Sequence, residues 1–268
     1  MCGICSLQGD QATQLTKQLT TLANAVTQPA INYHAAQLYF HDIISMTLAI
    51  FDLDNTLLNG DSDHAWGEFL VRQGIVDPVV YKNSNDQFYA DYQRGELDIF
   101  AYLEFALEPL TRFTMAELQQ LHQKFMTDSV APMMQPKAFD LLAQHRQKGH
   151  HLLIITATNH FVTAPIGAAL QVDDLLATNP EIKDNRYTGK VAGTPCYQHG
   201  KVARLETWLQ ENNESLSGSY FYSDSINDLP LLERVDNPYA VDPCASLREI
   251  AEQKQWPIIS LRDDEGGD

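Results

Sequence analysis

The sequence predicts an α/β fold, a doubly wound parallel sheet with a small helical cap inserted after the first strand. Three observations carry this. Short apolar runs alternate with helical patterns from residue 47 onward, the order produced by parallel strands joined through crossover helices. One long segment, 61–128, departs from that order and shows helical spacing only. Three of the apolar runs end in carboxylates or hydroxyls, and open α/β sheets bind ligands at the carboxyl ends of their strands.

Residues 1–45 stand apart. They contain a Gln/Thr-rich stretch in which Leu15, Leu19, Leu22 and Val26 fall at helical spacing. Met46 directly precedes the first apolar run, so 1–45 is expected to be a dispensable or non-native extension. Cys2-Gly3-Ile4 resembles the N-terminal nucleophile of glutamine amidotransferases, but that family needs a large domain directly after it, which 1–45 does not supply. Cys2 and Cys5 form a C-x-x-C with no second pair to complete a zinc site.

TLAIF (47–51) is the first expected strand. The block 61–128 carries Trp66, Phe69 and Leu70, then Phe88, Tyr89 and Tyr92, then Ile99, Tyr102 and Leu103 at helical intervals, and is expected to be the cap. The core is expected over 46–60 and 129–268. Pro132 and Pro136 mark the return to it, and a helix runs to Lys148, stopped by Gly149. HLLIIT (151–156) is the second strong strand, followed by a helix over 160–170. LLATNPEIKDNRYTGKVAG reads as irregular or hairpin structure. A helix over 199–212, the strand SYFYSD (219–224), a further helix, PYAVD (238–242), a last helix at 244–254 and PIISL (257–261) complete the pattern.

The strand ends carry the chemistry. FDLDNTLLNGDSD (51–63) holds Asp52, Asp54, Asp61 and Asp63. Two carboxylates at about 4 Å repel by about 4 kcal/mol at an effective dielectric near 20. The second strand ends in Thr156-Ala157-Thr158-Asn159, the third in Asp224-Ser225-Ile226-Asn227-Asp228, and Lys201 lies just inside a helix. Carboxylates cannot bind a phosphate without a cation. A hard cation such as Mg2+ takes oxygen ligands and keeps positions open for phosphate, which relieves the Asp52/Asp54/Asp224 repulsion. A carboxylate can then attack phosphorus, and a second one serves as acid and base.

FDLDNT, IITAT, Lys201 and SDSINDLP match, in order, the four motifs of the haloacid dehalogenase superfamily of phosphohydrolases, and the resemblance covers about residues 46–262. The insert resembles the cap of the phosphoserine-phosphatase-like branch. NTLLNGDSDHAW, YQRGELDIFAYLEF and HGKVARLETWL look most like bacterial histidinol-phosphatases. The resemblance implies a Rossmann-like core and an aspartyl-phosphate mechanism, with Asp52 as nucleophile and Asp54 as general acid/base. It implies Mg2+ on Asp52, Asp224 and the main-chain carbonyl of Asp54. Phosphate falls to Thr156, Ala157 and Lys201, with Asp228 in support. Asp61, Asp63 and Arg94 are the candidate substrate contacts, Asp61 alone on the strength of the resemblance. Ser223 stands where the family often has Gly, and Asp61 where an acidic residue of the branch binds the substrate's amine. The implied substrate is a small phosphorylated metabolite, histidinol phosphate ahead of phosphoserine. Transfer to an acceptor other than water and a non-catalytic binding module are the alternatives.

Each residue also has a plain structural reading. An Asp at a strand end often caps a helix, and Asp61, Asp63 and His64 equally describe a solvated turn. Arg94 reads equally as a surface charge. Trp66, Phe69, Tyr89 and Tyr92 read as cap core ahead of an aromatic pocket. His145, His150 and His151 flank a helix end, where cations suit the dipole. Cys196 and Cys244 read as inert. Gly193 and Gly200-Lys201 lack the spacing and the Ser/Thr of a Walker loop.

Composition narrows the classes. The 268 residues are 44% hydrophobic and 20% charged, enough for a sizeable core. The net charge of −17, from 18 Lys+Arg against 35 Asp+Glu, argues against a nucleic-acid partner and against docking on anionic membranes. Four cysteines do not make a disulfide framework. No apolar run approaches the roughly 20 residues that span a bilayer, and no secretory signal is visible, so the cytoplasm is the expected location. Oligomeric state stays open.

Overall fold

The computed structural model describes residues 46–262. The readings made on 1–45 lie outside the described residues.

A six-stranded parallel sheet forms the frame, in the order β3-β2-β1-β6-β7-β8. Its strands are β1 (Leu48–Phe51), β2 (His151–Asn159), β3 (Asp174–Thr178), β6 (Tyr220–Ser223), β7 (Asn237–Val241) and β8 (Ile258–Ile259). β1 is apolar throughout and each of its residues is fully buried, as a central parallel strand covered on both faces must be. It pairs with β2 through Phe51 and Ile154 and with β6 through Phe51 and Tyr222. The chain moves outward from β1 to β2 and β3, then crosses to β6, β7 and β8. β1 therefore borders the point where strand order reverses, the place where such sheets open a ligand crevice.

β3 corrects one expectation. All of it but Asp174 fell inside the stretch read as irregular or hairpin, yet 174–178 pairs in parallel with β2. Only the following residues form a hairpin, β4 (Pro180–Lys183) with β5 (Arg186–Val191). β3 is an edge strand, buried only at Ala177 and Thr178, so it lacks the continuous apolar run that marked its neighbours.

The block after β1 is helical. α1 (Ser62–Arg72) starts on Asp61, whose Oδ1 accepts the Asp63 and His64 N–H groups at 2.9 and 2.8 Å. α2 (Pro78–Arg94) starts on Asp77 with Pro78 in its first turn and ends on Gly95 in the left-handed region. α3 (Ile99–Leu107) starts on Asp98, and α4 (Met115–Phe125) on a Thr114/Glu117 capping box. Trp66, Phe69 and Phe125 pack in one buried cluster with Leu53, Leu57, Val162 and Ile166, so the helical block and the sheet share a core. The chain leaves and re-enters side by side, with Leu58 bridging Met134.

The remaining helices are α5 (Pro136–Gln147), α6 (His160–Leu170), α7 (His199–Asn212), the single turn α8 (Leu229–Leu232) and α9 (Ala245–Lys254). At the end of α5 the structure departs from the helix-dipole reading. His145 is buried against Phe51 and Tyr222, its Nε2 lies 2.9 Å from the Tyr222 hydroxyl, and its Nδ1 lies 2.8 Å from His150 Nδ1. Burial and the neighbouring His150 push its pKa down to about 4. It is neutral near pH 7 and supplies no charge to the helix end. His151 instead meets Asp174 at 2.9 Å.

Candidate active site

The register of the three central strands places their ends at one edge. Asp52 follows Phe51 of β1, Thr156 lies two residues beyond its partner Ile154 on β2, and Asp224 two beyond Tyr222 on β6. Above this edge lies a cleft of about 520 Å³, its open mouth included. From the sheet side it is lined by Asp52, Asp54, Thr156, Ala157 and Thr158, and from the helical block by Asp61, Asp63, His64, Asn85, Phe88, Tyr89, Tyr92, Leu97, Ile99 and Tyr102.

Lys201 is the buried cation of the site. It sits in the first turn of α7 at 1% exposure, with Nζ 2.7 Å from Asp52 Oδ1 and 2.8 Å from Asp228 Oδ2. Burial disfavours its charge, but the two carboxylates outweigh that and hold its pKa above the ordinary lysine range. The helix delivers it because Gly200 closes on the preceding loop. A Cβ on Gly200 would lie 2.1 Å from the Pro195 carbonyl oxygen, so any side chain there would displace the first turn.

Asp228 also accepts from Ser223 Oγ at 2.7 Å. Ser223, the departure from the family's usual Gly, thus braces the lysine's partner. Asp224 accepts from Thr56 Oγ1 at 3.1 Å, and Thr56 Oγ1 in turn accepts the Asp224 N–H at 3.0 Å. Burial and the nearby Asp228 push the Asp224 carboxyl up to about 7.

Asp52 is 2% exposed, and its Oδ2 has no hydrogen-bond partner. Burial drives its pKa up against the pull of Lys201, and Asp228 and Asp224 add to the rise. An unpartnered, buried carboxylate oxygen is costly, and a second positive charge is what would relieve it. Among the described residues no three His, Cys, Asp or Glu side chains converge as a complete ligand set. A hard cation needs fewer, because it fills its shell with main-chain carbonyls and water. Asp52, with its unpartnered Oδ2, and Asp224, whose charge acts on it, are oxygen donors that suit such a cation.

Asp54 is held differently. Its Oδ1 accepts from the Ser62 N–H at 2.7 Å and the Ser62 hydroxyl at 2.6 Å, and its Oδ2 from Thr158 Oγ1 at 2.8 Å and Thr156 Oγ1 at 3.4 Å. Burial, with Asp61 nearby, raises its pKa to about 6, against these bonds. A carboxyl poised there exchanges a proton near neutral pH, as a general acid/base must. Ser62 and Thr158, which the motif reading did not single out, fix its direction.

Asp61 and Asp63 both line the cleft. Asp61 also caps α1, and burial raises it to about 6. Asp63 hydrogen-bonds Tyr102, with Asn159 Nδ2 at 3.4 Å from its Oδ1, and burial raises it to about 7. Arg94 is not among the lining residues. It is exposed and pairs with Asp91 and Glu96, which removes the geometric basis for a substrate contact. The aromatic set divides: Trp66 and Phe69 are buried core, as expected, whereas Tyr89 and Tyr92 face the cleft. α2 buries only Asn85 fully, so its tyrosines are free to form a wall. Cys196 is buried and burial pushes its thiol up to about 12, which leaves it protonated.

Among the described residues no helix is long and apolar enough to cross a membrane. The family model of haloacid dehalogenase-like hydrolases matches residues 49–233. A histidinol-phosphatase of Neisseria meningitidis serogroup C is 44% identical over 219 residues, 80% of this chain and 99% of that protein. The phosphoserine phosphatase SerB1 of Mycobacterium tuberculosis is 28% identical, over 80% of this chain and 70% of its own length. Among solved structures, a Bordetella pertussis Tohama I protein of unknown function is 44% identical with a TM-score of 0.77, over 81% of this chain and all of that one. A phospho-aspartyl intermediate analogue of phosphoserine phosphatase shares the fold at 16% identity and a TM-score of 0.61, over 82% of this chain and 95% of that one. On the family match and the 44% relative, the chain belongs to the haloacid dehalogenase-like hydrolases and is a phosphatase of that family.

Proposed function

We propose that this protein is a Mg2+-dependent phosphomonoesterase that works through an aspartyl-phosphate on Asp52, with histidinol phosphate as its substrate. The observation that carries the chemistry is the contrast between two carboxylates one residue apart. Asp52 Oδ2 is buried and unpartnered at the cleft, whereas both oxygens of Asp54 are tied down and its pKa lies near 6. One is placed to attack and the other to move a proton.

Asp52 attacks phosphorus, a P–O bond forms to its carboxylate, and the bond to the leaving alkoxide breaks. Asp54 gives that oxygen its proton. Water then attacks the aspartyl-phosphate with Asp54 as base, which restores both residues and releases phosphate. Lys201 meets charge on the transferring group from the Asp52 side, and the Thr156 hydroxyl and the Ala157 main chain border it on the other. Asp52, Asp224 and the main-chain carbonyl of Asp54 would hold the Mg2+, which would supply positive charge to offset the repulsion between phosphate and carboxylates.

The substrate preference rests on the charge of the cleft. Its lining includes Asp61 and Asp63 on the cap-facing side, Asp54 beside them on the sheet side, and no Lys or Arg among the described residues. That field favours a leaving group carrying a cation and disfavours one that also carries a carboxylate. Histidinol phosphate carries the amine and an imidazole without a carboxylate, and the 44% relative is a histidinol-phosphatase. Phosphoserine is the second reading, on the strength of the more distant SerB1.

Asp52→Asn tests the chemistry. Hydrolysis of an aryl phosphate should fall by about 10³-fold or more, and EDTA should abolish wild-type activity until Mg2+ is returned. Wild-type rates in Asp52→Asn would overturn the assignment.

A further inference from the structure

β2 breaks its pairing with β3 at the residues proposed above to border the phosphate. Ile155 pairs with Leu176 and Asn159 with Thr178, so 156–158 of β2 stand opposite Ala177 alone. Such a bulge gives up ladder hydrogen bonds and re-aims the chain. Within it, the Thr156 and Thr158 hydroxyls reach Asp54 Oδ2 at 3.4 and 2.8 Å. Ala157 is the one residue of the three that is not buried, and it lines the cleft. The bulge is held by a side chain that the chemistry above does not use.

Thr178 ends β3 and is fully buried. Its Oγ1 donates to the Ala157 carbonyl at 2.8 Å and accepts the Cys196 N–H at 2.9 Å. An amide N–H only donates and a hydroxyl has one proton, so that proton goes to Ala157 and both bonds have a settled direction. Cys196, itself fully buried, opens the tight turn that presents Lys201. In that turn the Gly200 N–H donates to the Tyr197 carbonyl at 2.7 Å and the Lys201 N–H to the Gln198 carbonyl at 3.0 Å. Gly200 lies against the Pro195 carbonyl with no room for a side chain. One hydroxyl therefore joins the strand end carrying Thr156 and Ala157 to the turn carrying Lys201. Without it the Cys196 N–H is buried and unpaired, which is costly, and the Ala157 carbonyl is free to turn.

We propose that Thr178 is a positioning residue for the phosphoryl group: its hydroxyl locks the β2 bulge to the turn that presents Lys201, so that the two keep one spacing. The proposal rests on the phosphatase reading above. Thr178 acts through Ala157 and Cys196 and does not touch the reacting atoms. Its influence falls on the phosphoryl group and not on the leaving group, so its loss is felt equally by every phosphomonoester. That separates it from Asp61 and Asp63, whose proposed contact is the leaving group.

Thr178→Val keeps the shape of the side chain and removes the hydroxyl. With Mg2+-loaded protein, the Kd of inorganic phosphate read by calorimetry should rise by about tenfold. kcat/KM should fall by about tenfold or more, to the same extent for histidinol phosphate and an aryl phosphate. Amide hydrogen exchange at Cys196 should quicken by about tenfold. Thr178→Ser keeps the hydroxyl and loses the methyl group, so its Tm should fall while its phosphate Kd stays within about twofold of wild type. A packing role alone predicts the reverse order, with Thr178→Ser the weaker binder. Wild-type phosphate affinity or wild-type Cys196 exchange in Thr178→Val overturns the proposal, and so does a loss confined to one of the two substrates or an equal loss in Thr178→Ser. If wild type hydrolyses neither substrate, the phosphatase reading fails and the proposal falls with it. If Thr178→Val does not fold, Thr178→Cys decides, since a thiol is a weaker donor of similar size. It should weaken phosphate binding by about threefold or more, and wild-type affinity in it overturns the proposal.

Discussion

On the sheet side of the cleft, Asp52 and Asp228 are buried around the Lys201 ammonium at 2.7 and 2.8 Å. On the cap-facing side, Asp61 is half-buried and Asp63 buried, with N–H groups, a tyrosine hydroxyl and an amide for partners, and no Lys or Arg lines that wall among the described residues. The first set carries its own counter-charge. The second has pKa values raised to about 6 and about 7 and no lysine or arginine of its own, so a cation brought from outside would stabilise its charged form. The contrast separates residues that carry the reaction from residues that choose what is brought to it.

Breaking the sheet side should have the largest effect. Lys201→Met removes the one ammonium between two buried carboxylates, and stability should fall by about 3 kcal/mol or more in urea denaturation. Phosphatase turnover should fall by about 10³-fold. A variant that kept both would show that the lysine is not the counter-charge.

Breaking the cap-facing side should leave chemistry standing. Asp63→Asn should lower kcat/KM on histidinol phosphate by about tenfold or more and change an uncharged aryl phosphate by less than about threefold. The same variant carries a stability signature. The folded pKa of Asp63 is about 7, against 3.8 for the free group, so the folded state binds the extra proton between those values. The stabilisation from Asp63 is complete below pH 3.8 and is lost as pH rises through 7. Relative to wild type, Asp63→Asn should therefore gain stability as pH rises over that window, by at most about 1.4 kcal/mol per pH unit. Chemical denaturation at a series of pH values, without metal or substrate, reads this out. A wild-type slope in the variant would mean that Asp63 is not the group responsible.

How much of this was legible in the sequence follows the same division. Asp52, Asp54, Thr156, Lys201, Asp224 and Asp228 announced themselves because strand ends and one helix start converge at a single edge in any sheet of this order. What pins Asp54 did not, since Thr158 lies 104 residues from it and only the β1–β2 register brings them together. Ser62 lay in the block read as helical, with nothing in the sequence to mark it as a partner of Asp54. β3 was lost because an edge strand needs apolar residues on fewer positions. The pairing of Tyr92 with Ser225 and Asn227 depends on how α2 lies over the sheet edge, which spacing within one helix does not state. Arg94 read equally as a substrate contact and as a surface charge, and Asp91 and Glu96 beside it pair with it on the surface.

The smallest effect should be at that residue. Exposed pairs contribute about 0–1 kcal/mol, so Arg94→Ala should leave kcat/KM on any phosphomonoester within about twofold. A tenfold loss confined to carboxylate-bearing substrates would show that the side chain swings into the cleft after all.

The most direct test of the account compares kcat/KM for histidinol phosphate and phosphoserine with the Mg2+-loaded wild-type enzyme. Both present an amine and a phosphomonoester, and phosphoserine adds the carboxylate that Asp61 and Asp63 should repel. The account predicts histidinol phosphate ahead by about tenfold or more. Equal values, or phosphoserine ahead, would contradict it.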